Sequence, residues 1–292
     1  MKTDKDKYVL SIDLGTSGSK MAIVSVYGEV KDFEFEAVPL KLLPGGGAEQ
    51  DPHDWWNAIM TTSKRLLARG AVPAEDIVAV CASTQWFGTV AVDEAGRPLM
   101  NAVIWMDMRG EKYNKKLIGG PIKIEGYDPL KLMKWIRLTG GAPGQSGKDP
   151  VGHILFIKNE FPDVYEKTYT FLEPQDYINL CLTGRFAASY NSIAGHWATD
   201  NRDLGKIAYD DTLLKLNGME RDKLPDLRHS IDVLGPLKKE VAQELGLGED
   251  VHVVKGCPDI PAAAVGSGAV GDLEGHHYNG TSNWKEAQVP FK

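Results

Sequence analysis

The stretch that most limits the architecture of this chain lies near its start. Tyr8 to Ile12 is a short apolar run, the next eight residues read DLGTSGSK, and a second apolar run, MAIVSV, follows. That pattern predicts strand, Gly-rich turn, strand. YGEV then makes a turn into DFEFEAV, where Phe33, Phe35 and Ala37 alternate on one face, so a third strand follows. The opening is an antiparallel ribbon, unlike the strand-to-helix opening of a dinucleotide-binding fold.

Beyond the ribbon, EQDPHDWWNAIMTTSKRLLARG predicts a helix with Asp51 as N-cap, Pro52 at the first helical position and Gly70 past the end. DIVAVCAST predicts a buried strand, and GTVAVDEAGRPLMNAVIW a hairpin turning at DEAGRP. From about Asp107 to Leu245 the chain is predicted to be mostly helical, with VGHILFIKNEFPDVYEK and PQDYINLCLTG the best segments and Gly184 closing the second. GGAPGQSGKDP reads as a loop, VHVVKG as a strand, DIPAAAVGSGAV as a helix, and HHYNGTSNW as strand and turn again.

Composition bounds the class. The 292 residues, 42% apolar and 25% charged, suffice for one large domain or two smaller ones. A net charge of −7 argues against a general nucleic-acid binder. The opening MKTDKDKYVL lacks a signal-peptide core, and no apolar run approaches the roughly 20 residues that span a bilayer. Cys81, Cys181 and Cys257 lie far apart and fit reduced thiols, so a cytoplasmic protein without a membrane partner is expected. The histidines show no metal-ligand spacing with cysteine.

Three segments carry residues suited to chemistry. In SIDLGTSGSK, Asp13 ends a buried strand, Gly15 and Gly18 allow a tight turn that exposes backbone N–H groups, Thr16, Ser17 and Ser19 add hydroxyls, and Lys20 adds a cation. That set suits a phosphate, although the spacing is not that of a Walker loop, and a polar hairpin turn is the plainer reading. Gly280, Thr281 and Ser282 in YNGTSNW echo Gly15, Thr16 and Ser17, so two turns are placed to grip a polyphosphate from two sides. In GCPDIPAAAVGSGAVG, Asp259 has two readings that can coexist: a helix N-cap with Pro261 in the first turn, or a carboxylate that does chemistry.

Taken in order, IDLGTSGSK, EQDPHDWW, STQWFGTVAVDEAGRPLMNAVIWMDMRG, FPDVYEKT, QDYINLCLTG, GCPDIPAAAVGSGAVG and NGTSNW resemble the FGGY family of carbohydrate kinases, within the actin/Hsp70/hexokinase-like ATPase fold. The resemblance implies an α/β protein: a ribonuclease H-like (actin-like ATPase) domain with a mixed β-sheet flanked by helices and a truncated second domain. It sets residues 1–269 as the sugar-binding and catalytic domain and 270–292 as the first strands of a nucleotide-binding domain. The implied reaction is ATP-dependent phosphorylation of a hydroxyl on a small sugar or polyol, with a pentulose such as xylulose or ribulose favoured. The alternative is a catalytically inactive sugar-binding or regulatory module of the same fold. A homodimer is a further expectation, from a strand edge left unpaired.

Residue by residue, the resemblance makes Asp259 the general base toward the sugar hydroxyl. It sets Asp13 near Mg²⁺ through bound water. It gives Gly15, Thr16, Ser17 and Lys20 to the first phosphate turn of ATP, and Gly280, Thr281 and Ser282 to the second. Gln85, Trp86, Phe87, Trp105 and Asp107 become the sugar contacts, with core packing the competing reading for the two tryptophans. Trp86-Phe87 stands where xylulose-kinase-like members commonly carry Met-His, and His153 and Phe156 stand where Lys and Trp are usual.

Overall fold

The computed structural model describes residues 7–280 and 283–289. Its centre is a six-stranded mixed sheet. The strands are β1 (Tyr8–Gly15), β2 (Gly18–Ser25), β3 (Val30–Ala37), β4 (Ile77–Thr84), β5 (Val233–Pro236) and β6 (His252–Val254), in spatial order β5-β6-β4-β1-β2-β3. β1, β2 and β3 form the antiparallel ribbon expected from sequence, β4 runs parallel to β1, β6 parallel to β4, and β5 antiparallel to β6. The turn between β1 and β2 is tighter than the motif suggested: Gly15 pairs with Gly18, leaving only Thr16 and Ser17 at the tip.

Period-two alternation explains why this ribbon forms. Leu10, Ile12 and Leu14 of β1 and Met21 and Ile23 of β2 send their side chains to one fully buried face. The helix α1 (Pro52–Ala68) covers that face. Asp51 caps it by accepting from the His53 amide at 2.9 Å, and Trp55, Ile59 and Leu66 enter the core. Each such fully buried side chain contributes about 1.5–3 kcal/mol of transfer free energy.

β3 turns its alternation the other way. Phe33 is 70% and Phe35 46% exposed, while Asp32, Glu34 and Glu36, which alternate with them, face α1. Arg69 donates to Asp32 Oδ2 at 2.7 Å, Glu34 Oε2 at 2.5 Å and the Phe33 carbonyl at 2.7 Å; Arg65 reaches Glu36 Oε2 at 2.6 Å. A charged seam, not an apolar one, therefore joins the edge strand to α1.

The turn at DEAGRP forms, with Asp93 N donating to Arg97 O, and single bridges at Thr89–Val103 and Val92–Pro98 join its arms, but the expected hairpin ladder does not: Val90–Val92 pairs with Thr170–Leu172 and Ala102–Val103 with Glu49–Gln50. A second core lies beneath it, built from Ala91, Val103, Val151, Ile154, Ile157 and Phe171. The segment VGHILFIKNEFPDVYEK is two helices, Pro150–Glu160 and Pro162–Lys167. Pro162 has no N–H and disfavours helical geometry at Phe161, whose φ is −130°. The helix α2 (Pro174–Thr183) lies against the sheet on β4 and ends at Gly184 in the left-handed region (φ 74°). Helix α3 (Lys239–Leu245) packs beside α1, and helix α4 (Asp259–Gly266) follows β6. A hairpin, Gly275–Asn279 with Asn283–Ala287, closes the described chain. Among the described residues no helix is long and apolar enough to cross a membrane.

Candidate active site

Three parallel strands, β1, β4 and β6, point their carboxyl ends the same way, and that edge is where open α/β sheets bind ligands. A cavity of about 570 Å³ lies there. Asp13, Gly15, Thr16, Ser17 and Lys20 of the first turn line it, with Ser83, Trp105 and Asp259. The site residues expected in the first turn, the expected base and one of the expected aromatic residues are therefore brought together.

Asp259 is the first residue of α4 and not its cap: Pro258 holds the cap position, and the carboxylate accepts from its neighbour's amide, Ile260 N, at 2.9 Å. The N-cap reading is corrected accordingly. Its carboxyl is pushed up to about 6, chiefly by burial, with the Asp13 charge adding and the Ile260 amide opposing. Asp13 pairs with Lys20 at 2.9 Å, and both side chains remain largely open to the cavity.

A polar layer on α2 fixes the approach to Asp259. Gln175 Nε2 donates to the Lys255 carbonyl at 2.7 Å and to Ala82 O at 3.0 Å, and Asn179 Nδ2 donates to the Lys255 carbonyl at 2.9 Å. Lys255 Nζ meets Asp176 Oδ1 at 2.5 Å with both side chains fully enclosed, and Ser192 also donates to Asp176. Burial raises the Asp176 carboxyl while Lys255 and Ser192 oppose it. Gly256 has φ 70°, and a Cβ there would lie 2.2 Å from Ala82 O, so only glycine makes this turn. Sequence reasoning took PQDYINLCLTG as a helix and a family motif without a role for Gln175, Asp176 or Asn179, whose polarity was the available signal.

The expected sugar contacts divide. Trp105 lines the cavity and donates from Nε1 to Thr16 Oγ1 at 2.9 Å. Gln85 is 2% exposed; its Nε2 donates to Gln50 Oε1 at 2.7 Å, and Gln50 Nε2 in turn donates to Thr16 O at 2.9 Å. It is a brace for the turn, as is Gln50, which sequence reasoning missed within EQDP. Asp107 is fully buried: Oδ2 accepts from Ala48 N at 2.8 Å and from Arg109. Its expected role toward sugar hydroxyls is corrected, since its oxygens are enclosed and taken. Trp86 and Phe87 sit half-buried beyond the cavity lining, on the turn Ser192–His196. Trp86 donates to Ser192 O at 3.1 Å, and Phe87 packs on Gly195.

At the other wall stand Tyr278 and Trp284, two residues that the motif reading passed over, stacked at 4.9 Å and 14°. Gly280 is exposed and does not reach the cavity lining. Thr281 and Ser282 lie outside the described residues.

A mixed sheet with this strand order, carrying a carboxylate at the end of β1 and another at the start of the helix after β6, marks a domain of the actin-like ATPase class. The chain belongs to the FGGY family of carbohydrate kinases, whose N-terminal domain matches residues 8–266. It is 29% identical to the xylulose kinase of Bacillus subtilis (strain 168) over 262 residues, covering 90% of this chain and 50% of that protein. The glycerol kinase of Plasmodium falciparum with ADP superposes with a TM-score of 0.82 at 17% identity, over 96% of this chain and 54% of the other. Ligand-bound xylulose kinase from Lactobacillus acidophilus does so at 0.78 and 22%, over 90% and 50%. These structural likenesses establish the fold. The chain spans about half the length of the relatives it matches.

Proposed function

We propose that this chain carries the sugar-side catalytic apparatus of a cytoplasmic, ATP-dependent kinase acting on a hydroxyl of a small sugar or polyol, with a pentulose as its substrate. The observation that carries the reading is Asp259, poised near neutrality and facing one cavity with Asp13, Lys20 and the Thr16–Ser17 turn. Relatives named xylulose kinase support the choice of pentulose.

Phosphoryl transfer asks for positioning and charge neutralisation, with a carboxylate to orient the attacking hydroxyl. Asp259 supplies the carboxylate and takes the hydroxyl proton as the bond from that oxygen to the γ-phosphorus forms and the bond from phosphorus to the bridging oxygen breaks, releasing ADP. Lys20 and the turn face the cavity where phosphate oxygens gather charge. Trp105 offers an aromatic face to the apolar side of a sugar. Magnesium is held by one or two carboxylates with water and substrate phosphates; Asp13 on the polar cavity would supply one such carboxylate through Oδ1, since Lys20 engages Oδ2. When bound, the ion offsets negative charge on the transferring phosphates.

Titration calorimetry with xylulose, ribulose, glycerol and erythritol, followed by coupled ADP release, tests this reading. A pentulose that binds and drives ADP release supports it. Sugar binding without ADP release favours the alternative of a non-catalytic sugar-binding module, and binding of none overturns both.

A further inference from the structure

One hydroxyl on the cavity wall has no part in the reaction described so far. Ser83 lies one residue before the end of β4 and lines the cavity with Asp13, Lys20 and Asp259. Its neighbours Ala82 and Thr84 are buried, so alternation turns Ser83 to the opposite face of the sheet. Lys20 on β2 pairs with Asp13 on β1, and Asp13 pairs with Ser83 on β4. A single row across three neighbouring strands therefore carries a cation, a carboxylate and a hydroxyl side by side.

The next strand completes the row in another way. β6 pairs Val254 with Cys81 and ends there; the chain turns at Gly256 and enters α4 at Asp259. Because β4 lies between β6 and β1, and α4 packs over β4, Ser83 stands between Asp13 on one side and the start of α4 on the other. Along the cavity α4 adds only the small side chains of Ala262 and Ala263, which leaves room above the hydroxyl. Among the described residues Ser83 Oγ makes no hydrogen bond. The hydroxyls beside it are already engaged: Thr84 Oγ1 donates to Gln85 O at 2.9 Å, and Thr16 Oγ1 accepts from Trp105 Nε1 at 2.9 Å. A free donor on a half-buried polar wall gains most from a charged acceptor, since such hydrogen bonds are about twice as strong as neutral ones.

We infer that Ser83 is a contact for the phosphoryl group in transit, its Oγ–H donating to a non-bridging oxygen in the space between Asp13 and Asp259. The inference rests on the kinase reading above and deepens it. The sugar oxygen bonds to phosphorus, the bond to the bridging oxygen breaks, ADP leaves, and the hydroxyl proton passes to Asp259. Ser83 keeps its own proton throughout. Its contribution is a fixed donor aimed where negative charge spreads over the phosphoryl oxygens in the transition state.

The test compares the parent with Ser83→Ala and Ser83→Thr. In pentulose-dependent ADP release, Ser83→Ala lowers kcat about 10–100-fold and leaves the pentulose KM within about twofold, the scale of one donor to a charged oxygen. Magnesium pyrophosphate, titrated calorimetrically into sugar-free protein, binds Ser83→Ala about tenfold more weakly than the parent. Ser83→Thr restores the hydroxyl and regains most of both losses. Urea unfolding gives Ser83→Ala the midpoint of the parent, because the hydroxyl holds nothing in the fold. Full kcat in Ser83→Ala overturns the assignment, and so does a raised pentulose KM with kcat unchanged, which would move Ser83 to the sugar. Losses that Thr does not regain, beside a lowered urea midpoint in Ala, mark a structural hydroxyl and overturn it as well. A parent that releases no ADP with any of the four sugars refutes the kinase reading. The pyrophosphate titration then still judges Ser83: equal affinity in parent and Ala, or binding in neither, contradicts the contact.

Discussion

Replacing Asp259 by Asn is expected to abolish its proposed chemistry and at the same time to stabilise the fold. The carboxyl stands at about 6 against an ordinary 3.8, so the native state resists its ionisation. A shift of that size corresponds to about 3 kcal/mol of native-state cost at neutral pH. Partial exposure and solvent relaxation bring the expected gain for Asn to about 1–2 kcal/mol. The sign follows from a folded-state value raised above the unfolded one. Stability linked to this group is fully present below about pH 4 and is lost as pH rises through about 6. The Asn variant therefore gains little at pH 4 and its full advantage above pH 7. Urea unfolding of both proteins at pH 4.5 and pH 8 measures this. An advantage of equal size at both pH values, or an Asn variant less stable than the parent at pH 8, would refute the claim that Asp259 is held in a strained ionised state.

Three further outcomes are expected. Lys255→Met strands Asp176 in the core and costs about 3–5 kcal/mol in chemical unfolding, most of which returns when Asp176→Asn is added, because both members of the enclosed pair are then neutral. Gly256→Ala costs about 2 kcal/mol or more, since it combines a left-handed φ of 70° with a Cβ 2.2 Å from Ala82 O; thermal unfolding reports it. For the proposed sugar phosphorylation, kcat/KM is expected to fall tenfold per pH unit on the acid side with a break near 6, where Asp259 takes up its proton. A flat acid limb would count against Asp259 as the base.

The parts of the fold that follow a local period were legible in the sequence. The β1–β2–β3 ribbon, the Asp51-capped α1 and the Gly184 stop of α2 follow from alternation, caps and glycine alone. What was not legible depends on partners far along the chain. Nothing within DFEFEAV says that Phe33 and Phe35 face outward; Arg65 and Arg69, about 30 positions later, decide it by recruiting the carboxylates. Asp107 looked free for a sugar hydroxyl until the Ala48 amide and Arg109 enclosed it. The cavity shows the same division. Asp13, Lys20 and Asp259 stood out as charged residues in small-residue surroundings. Asp176 and Lys255 gained their roles only when α2 was laid against β4 and β6, and Gln50 only when Gln85 and the turn at Thr16 met it. Tyr278 and Trp284 were masked by attention to the Gly-Thr-Ser echo between them.

The most direct test of the central claim is pentulose-dependent ADP release, measured for the parent and for Asp259→Asn beside calorimetric pentulose binding. The expected result is pentulose-dependent turnover in the parent that falls by about 100-fold or more in the variant, the scale of general-base catalysis, while the variant still binds the sugar. Turnover in Asp259→Asn equal to that of the parent would contradict the assignment of Asp259 as the base of this site.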